Sequence, residues 1–218
     1  MSTRTVTDRE TFFVESQTAR DVRCVAKDAI ITKILNGIAI KQPKQFRAVL
    51  MPSMYGPEVA HLRARGVPIR NMFAIERDTH VHHVLRQRST QRHGRGPSTT
   101  AEPMPVQTAV DHIPFETVNL IYLDFFSQPD GNHLKALTKL FRLGLCVRGT
   151  RLLTTFGTNR GDAFSCRLNA RLRCASVGQA YIEAALKYAD RGWYRRLINY
   201  PYVTEEHTAH FTTTEVRF

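Results

Sequence analysis

Two carboxylates, Asp124 and Glu76, stand at the ends of hydrophobic runs, where buried strands would deliver them to one edge of a sheet. Asp124 ends the run Val118–Asp124 and is followed at once by Phe125 and Phe126. An acid beside aromatic rings suits a cationic or amino-bearing substrate, or a stacked base, because the carboxylate accepts a hydrogen bond while the rings exclude water. Glu76 ends Asn71–Glu76, and a carboxylate there can accept two hydrogen bonds from a ribose diol. Glu58 closes the turn Pro52–Glu58, which follows Phe46–Met51 and feeds a helix N-terminus whose backbone N–H groups can meet a charged ligand group. Thr155, Phe156 and Thr158 are expected to line the same edge. Each position has a structural alternative. Glu76, with Asp78 and Thr79 beside it, can cap a helix. Asp124 can be a cap or an ion-pair partner. Of Phe125 and Phe126, one is expected in the core and one at the site.

Other chemistries find little support. Cys24, Cys146, Cys166 and Cys174 form no C-x-x-C pair, so they read as free thiols and not as zinc ligands. His80 and His83 have helical spacing, but no acid or cysteine pattern accompanies them, and no metal site is expected. Neither a nucleophile elbow nor a phosphate-binding loop is present.

The elements needed to position the carboxylates can be read from periodicity. Apolar residues at helical spacing run from about Ser16 to Ala39. Strands are expected at Phe46–Met51, Asn71–Glu76, Val106–Val110, Val118–Asp124 and Gly149–Phe156. Helices are expected at Glu58–Arg65, stopped by Gly66, and at Thr79–Gln87, His133–Leu143 and Val177–Tyr188. Strand–helix alternation of this kind implies βαβ units and a parallel sheet. The stretches Arg196–Val203 and His210–Phe218 read as a closing antiparallel pair. Ser89–Pro105 has no apolar period and is expected to be a mobile loop. The chain thus divides into a helical extension, residues 1–45, and one domain, residues 46–218.

Composition sets the partner class. With 218 residues, 42% of them hydrophobic, one sizeable core is expected. No apolar run approaches the length of a membrane span and the first residues lack a secretory signal, so no membrane and a cytoplasmic location are expected. Lys and Arg total 31 against 19 Asp and Glu, a formal charge of +12, which attracts polyanions, nucleic acid first among them. Arginines cluster at 86, 88, 92 and 95, at 167, 171 and 173, and at 195 and 196.

Taken in order, these segments resemble the class I S-adenosylmethionine-dependent methyltransferases over roughly residues 46–218. Val49-Leu50 followed by Pro52–Glu58 is similar to the family's first, cofactor-binding motif. Ala74–Asp78 is similar to the second, whose acid binds the cofactor ribose and falls on Glu76. Asn119–Ser127 is similar to the fourth, catalytic or substrate-facing motif. Two departures are plain: Met51 or Pro52 replaces the first motif's acid, with Gly56 its one glycine, and no prolines follow Asp124. The resemblance implies an α/β fold, a Rossmann-like doubly wound, mostly parallel sheet with a C-terminal antiparallel strand pair. It implies S-adenosylmethionine as cofactor, held by Pro52, Ser53, Tyr55, Gly56, Glu58, Glu76 and Arg77. Asp124 and Phe125 would be catalytic, and Phe126, Ser127, Arg92 and Arg95 would meet a nucleic-acid substrate. The alternatives are a catalytically inactive nucleic-acid-binding protein on the same fold, and a methyltransferase for a protein or small molecule.

Overall fold

The computed structural model describes residues 27–52, 57–90, 96–125, 130–157, 176–191, 194–203 and 210–218. The order of elements is helix α1 (residues 27–36), β1 (Ala48–Leu50), α2 (Pro57–Ala64), β2 (Met72–Ala74), α3 (Thr79–Thr90), β3 (Ser98–Thr99) and α4 (Val106–Ala109). Then follow β4 (Leu120–Asp124), α5 (Gly131–Arg142), β5 (Arg151–Gly157), α6 (Val177–Tyr188), β6 (Arg196–Val203) and β7 (His210–Arg217). The seven strands form one sheet in the order β3-β2-β1-β4-β5-β7-β6. Strands β1 to β5 run parallel to one another, and β7 is antiparallel to both β5 and β6. This is the doubly wound, mostly parallel sheet with a closing antiparallel pair that the sequence implies.

Alternation along the strands splits the core in two. Val49, Ile121, Leu123 and Leu152 face helices α4, α5 and α6 in one cluster. Ala48, Leu50, Leu120, Tyr122 and Leu153 face the other way, against Ile31, Ile34 and Leu35 of α1 and Leu62 of α2. Helix α2 ends where Gly66 takes φ +83°, a left-handed conformation that a side chain disfavours. Arg65 then turns back on α1, its guanidinium donating to the carbonyls of Leu35 and Ile38, both at 2.6 Å. Arg151 donates to the Gly37 carbonyl at 2.8 Å. Two cations thus meet the carbonyl end of α1, where the helix dipole is negative.

Two expectations about local structure are corrected. Val106–Val110 is helical instead of extended, because the Pro105 carbonyl accepts from the N–H groups of Thr108 and Ala109 and starts a turn. Val106, Ala109 and Val110 bury one face of it. Within the stretch expected to be loop, Ser98 and Thr99 form β3, paired with Phe73 and Ala74. Their hydroxyls donate to the carbonyls of Met72 and Ala74, so polar side chains hold this edge strand where apolar contacts do not. The part of the first helix expected from Ser16 up to residue 26 lies outside the described residues.

One charged group organises the antiparallel half. Glu215 on β7 is fully buried. It accepts from Arg151 at 2.9 Å, from Arg217 at 2.7 Å and from the Tyr200 hydroxyl at 3.1 Å. Removing one member of such a buried set leaves the others uncompensated. Glu215→Ala is therefore expected to lower stability by about 3–5 kcal/mol in urea unfolding. A loss under about 1 kcal/mol would show that solvent reaches the two guanidiniums.

Candidate active site

The strand order reverses between β1 and β4: the chain winds one way through β2 and β3, then returns to build β4 and β5 on the other side. In open parallel sheets the crevice beyond the carboxyl ends of such strands is where ligands bind. Residues from three elements meet there. Asp124 is the last residue of β4, Glu58 lies in the first turn of α2, which follows β1, and Lys27 is the first described residue of α1.

Lys27 Nζ donates to Asp124 Oδ2 at 2.6 Å, with only 6% of the lysine side chain and 11% of the aspartate side chain exposed. Desolvating two charges offsets most of what their attraction returns, so such a pair adds little net stability over an apolar one. Asp124 Oδ1 is also buried and has no hydrogen-bond partner among the described residues. The same holds for Glu58 Oε2. Burial pushes the Glu58 carboxyl up to about 7, with Asp124 and Asp28 adding to the rise while its own backbone N–H and Lys27 oppose it. Asp28 is also raised, by burial first, against the pull of Lys27 and with the push of Asp124. Four ionisable groups therefore sense one another at the switch point, and two of their oxygens await donors.

Beside Asp124 the core is aromatic. Phe125 packs on Phe156 of β5 with centroids 4.9 Å apart and on His133 of α5 at 4.3 Å. Phe156 continues to Tyr181 of α6 at 5.6 Å. Asp130 caps α5 by accepting from Asn132 and His133 N–H, and its own N–H donates to His133 Nδ1. Burial holds His133 below the usual histidine range; Asp130 opposes this and Arg77 assists it. Arg77, exposed after β2, thus projects its field to the base of α5.

The residues expected at the site divide as follows. Asp124 is ion-paired with Lys27, and the charges of both act on the Glu58 carboxyl. Glu76 stands just beyond β2, its Oε1 accepting from the N–H groups of Arg77 and Asp78 at 2.8 Å each. The capping role falls to Asp78, which accepts from His80 and Val81. Pro52 is buried beyond β1, and Phe125 lies within the core cluster. Ser53, Tyr55, Gly56, Arg92, Arg95, Phe126, Ser127 and Thr158 lie outside the described residues. The residue missed from sequence is Lys27. Its signal is positional: it continues the buried stripe of Ile31, Ile34, Leu35 and Ile38, an unusual place for a lysine. No cluster of metal-ligating side chains occurs among the described residues. Cys146 is partly buried, and burial of its thiol pushes it up to about 12.

With this geometry in view, the comparisons with solved structures are informative. A geranyl diphosphate methyltransferase in complex with GPP and sinefungin matches with TM-score 0.52 and 11% identity, over 87% of this chain and 77% of that one. The chain has the fold of the class I S-adenosylmethionine-dependent methyltransferases. A SAM-dependent methyltransferase from Archaeoglobus fulgidus matches with TM-score 0.52 and 9% identity, over 87% and 94% of the two chains. Aeropyrum pernix fibrillarin, with natively bound S-adenosyl-L-methionine, matches with TM-score 0.51 and 12% identity, over 86% and 74%. No family model and no curated protein sequence matches the chain.

The raised Glu58 has a consequence for stability. The folded protein binds this proton more tightly than the unfolded chain, so the associated stability is full below pH 4.5 and is lost as pH rises to about 7. The loss amounts to at most about 3 kcal/mol. Glu58→Gln, which keeps the shape without the charge, is expected to melt above the wild type at pH 8 and level with it near pH 4.5. Parallel pH profiles for the two proteins would mean that the carboxyl is solvated when folded.

Proposed function

We propose that this protein is an S-adenosylmethionine-dependent methyltransferase acting on nucleic acid. The observation that carries the reading is the buried Lys27–Asp124 pair at the switch point, with the unpartnered oxygens of Asp124 and Glu58 beside it. In this reading Glu58 Oε2 suits the ammonium of S-adenosylmethionine and Asp124 Oδ1 a donor on the methyl acceptor. Among neighbours of this fold, the fibrillarin structure holds S-adenosyl-L-methionine and the geranyl diphosphate enzyme holds sinefungin.

In this reading Glu76 receives the ribose, its carboxylate already oriented by two backbone N–H groups. The turn from Pro52 to Glu58, with Ser53, Tyr55 and Gly56, receives the amino-acid end, and Arg77 flanks it. When bound, the cofactor supplies an activated methyl group. The protein's task is then to align the acceptor and exclude water. Asp124 orients the acceptor, and Phe125, packed on Phe156 and His133, keeps the wall beside it dry. The charge of +12 supports a polyanionic substrate, which Arg92, Arg95, Phe126 and Ser127 would contact. No helix of the described residues is long and apolar enough to cross a membrane. The single glycine in the first motif favours a second reading, a nucleic-acid-binding protein that has lost the cofactor.

Calorimetric titration with S-adenosylmethionine separates the two. Wild type is expected to bind, and Glu76→Ala to bind about 5- to 150-fold more weakly, the scale of a lost charged hydrogen bond of about 1–3 kcal/mol. Absence of binding by the wild type would leave only the second reading. Affinity for nucleic acid is expected to fall steeply with added salt, and a flat salt response would remove the polyanion from the proposal.

A further inference from the structure

We propose that the outer edge of the sheet carries a docking site for one nucleotide of a single-stranded nucleic acid, remote from the crevice at Asp124; the inference rests on the nucleic-acid reading above. The site is an open cavity of about 480 Å3 between β3, the last turns of α3 and the short turn Ile69–Asn71. Pockets of roughly 300–1,000 Å3 hold small ligands. Strand β3 ends the sheet, and three strand spacings separate it from β4. At ~4.8 Å per spacing that is about 14 Å.

The lining has two chemical halves. Arg70 and Arg86 supply the first; both are exposed, and no acidic residue lines the cavity. Neither guanidinium meets a carboxylate among the described residues. Arg86 donates one N–H to the Ala101 carbonyl, which holds it at the rim, and a guanidinium has further donors to offer. The hydroxyls supply the second half. Ser89 and Thr90 donate to the Arg86 carbonyl, Ser98 to that of Met72, Thr99 to that of Ala74 and Thr100 to that of Glu102. Their protons are committed, so what they present is oxygen lone pairs.

The walls are fixed from behind. His82 is buried, and its Nε2–H donates to the Thr100 carbonyl at 2.9 Å. The Gly96 N–H donates to the Arg88 carbonyl at 3.0 Å. A Cβ on Gly96 would stand 2.7 Å from the Arg88 Cβ, so glycine is what lets the chain entering β3 lie this close to α3.

A nucleotide answers both halves. Its phosphate takes the guanidinium donors, while ribose hydroxyls and base amino groups donate to the serine and threonine oxygens. A free phosphate ion answers only the first half. An acidic peptide laid along the edge would depend on a ladder of main-chain hydrogen bonds, and β3 is only two residues long. The nucleotide must be unpaired, because in a duplex the amino groups of the base are spent on its partner. The charge of +12 brings the polyanion to the surface, and an anchor at this distance holds it while another nucleotide is presented at the crevice.

Fluorescence anisotropy with a labelled single-stranded RNA oligonucleotide of mixed sequence, titrated with the full chain over a range of salt concentrations, tests this. Arg70→Ala and Arg86→Ala are each expected to weaken binding about tenfold at low salt, the scale of a lost charged hydrogen bond. Each should also reduce the log–log salt slope by about 0.7, the value for one phosphate contact on a single strand. Ser89→Phe, which fills the cavity and leaves the charge unchanged, is expected to weaken binding to a similar degree. Arg148→Ala serves as the control: it removes an exposed arginine just before β5, four strands from β3, and should stay within about twofold of wild type. If the two arginine variants lose no more than Arg148→Ala, or Ser89→Phe binds as wild type does, the inference fails and the nucleic-acid reading stands. Tighter binding of a polyglutamate peptide than of the oligonucleotide likewise overturns it. If wild type shows no salt-dependent binding, the nucleic-acid reading falls and this inference with it. Arg70 is exposed and makes no hydrogen bond to the described residues, so Arg70→Ala still decides the matter should Ser89→Phe fail to fold.

Discussion

A carboxylate at the end of a central strand is surrounded by protein on almost every side, and its charge has to be answered by another that is equally shielded. Asp124 meets this constraint with Lys27, on a helix that precedes the whole sheet in the chain. Much else follows from that requirement. Helix α1 must lie across the β1–β4 junction for its lysine to arrive, and its apolar stripe of Ile31, Ile34 and Leu35 seats it there. At its other end, Arg65 and Arg151 hold the carbonyls of Leu35, Ile38 and Gly37. The helix is gripped by charge at both ends and by hydrophobic contact between. The pair also sets the field in which Glu58 and Asp28 titrate, so the protonation of the whole crevice is tied to how this one helix is seated.

Much of this architecture is legible in the chain because strands and helices announce themselves locally. The run before Asp124, the Gly66 stop and the limits of the Val177–Tyr188 helix need only neighbouring residues to be read. The failures share a different origin. Val106–Val110 is expected as a short strand, yet its apolar residues at 106, 109 and 110 have helical spacing and the carbonyl of Pro105 starts the turn. Ser98 and Thr99 carry no apolar signal, and their strand depends on hydroxyl contacts to β2. Lys27 was invisible as a site residue because its partner is 97 positions away, and a lysine on a helix is ordinarily solvated. Glu215 hides in the same way: within Thr-Thr-Thr-Glu-Val it reads as an outward residue until Arg151 and Tyr200 are brought alongside. Local patterns reveal where the acids at the crevice edge sit, but their states are set by groups that only the fold assembles.

The same division explains how a fold can persist at 9–12% identity with its neighbours. A parallel sheet asks only that each strand be apolar on both faces, a condition that many residues satisfy. A buried ion pair asks for two particular residues at one distance. Shared architecture therefore says little about function, which has to be argued from the site.

The placement of β7 between β5 and β6 bears on how the protein is made. Among the described residues, strand β6 has β7 as its one hydrogen-bonded neighbour, and β7 also closes the outer side of β5. As the chain leaves the ribosome, β5 and β6 emerge before the strand that joins them. Until β7 follows, the nascent chain exposes a bare flank of the parallel sheet and a solitary strand, both able to recruit a neighbouring molecule. Loss of β7 would thus leave the outer flank of β5 and β6 itself without a partner, an adhesive product.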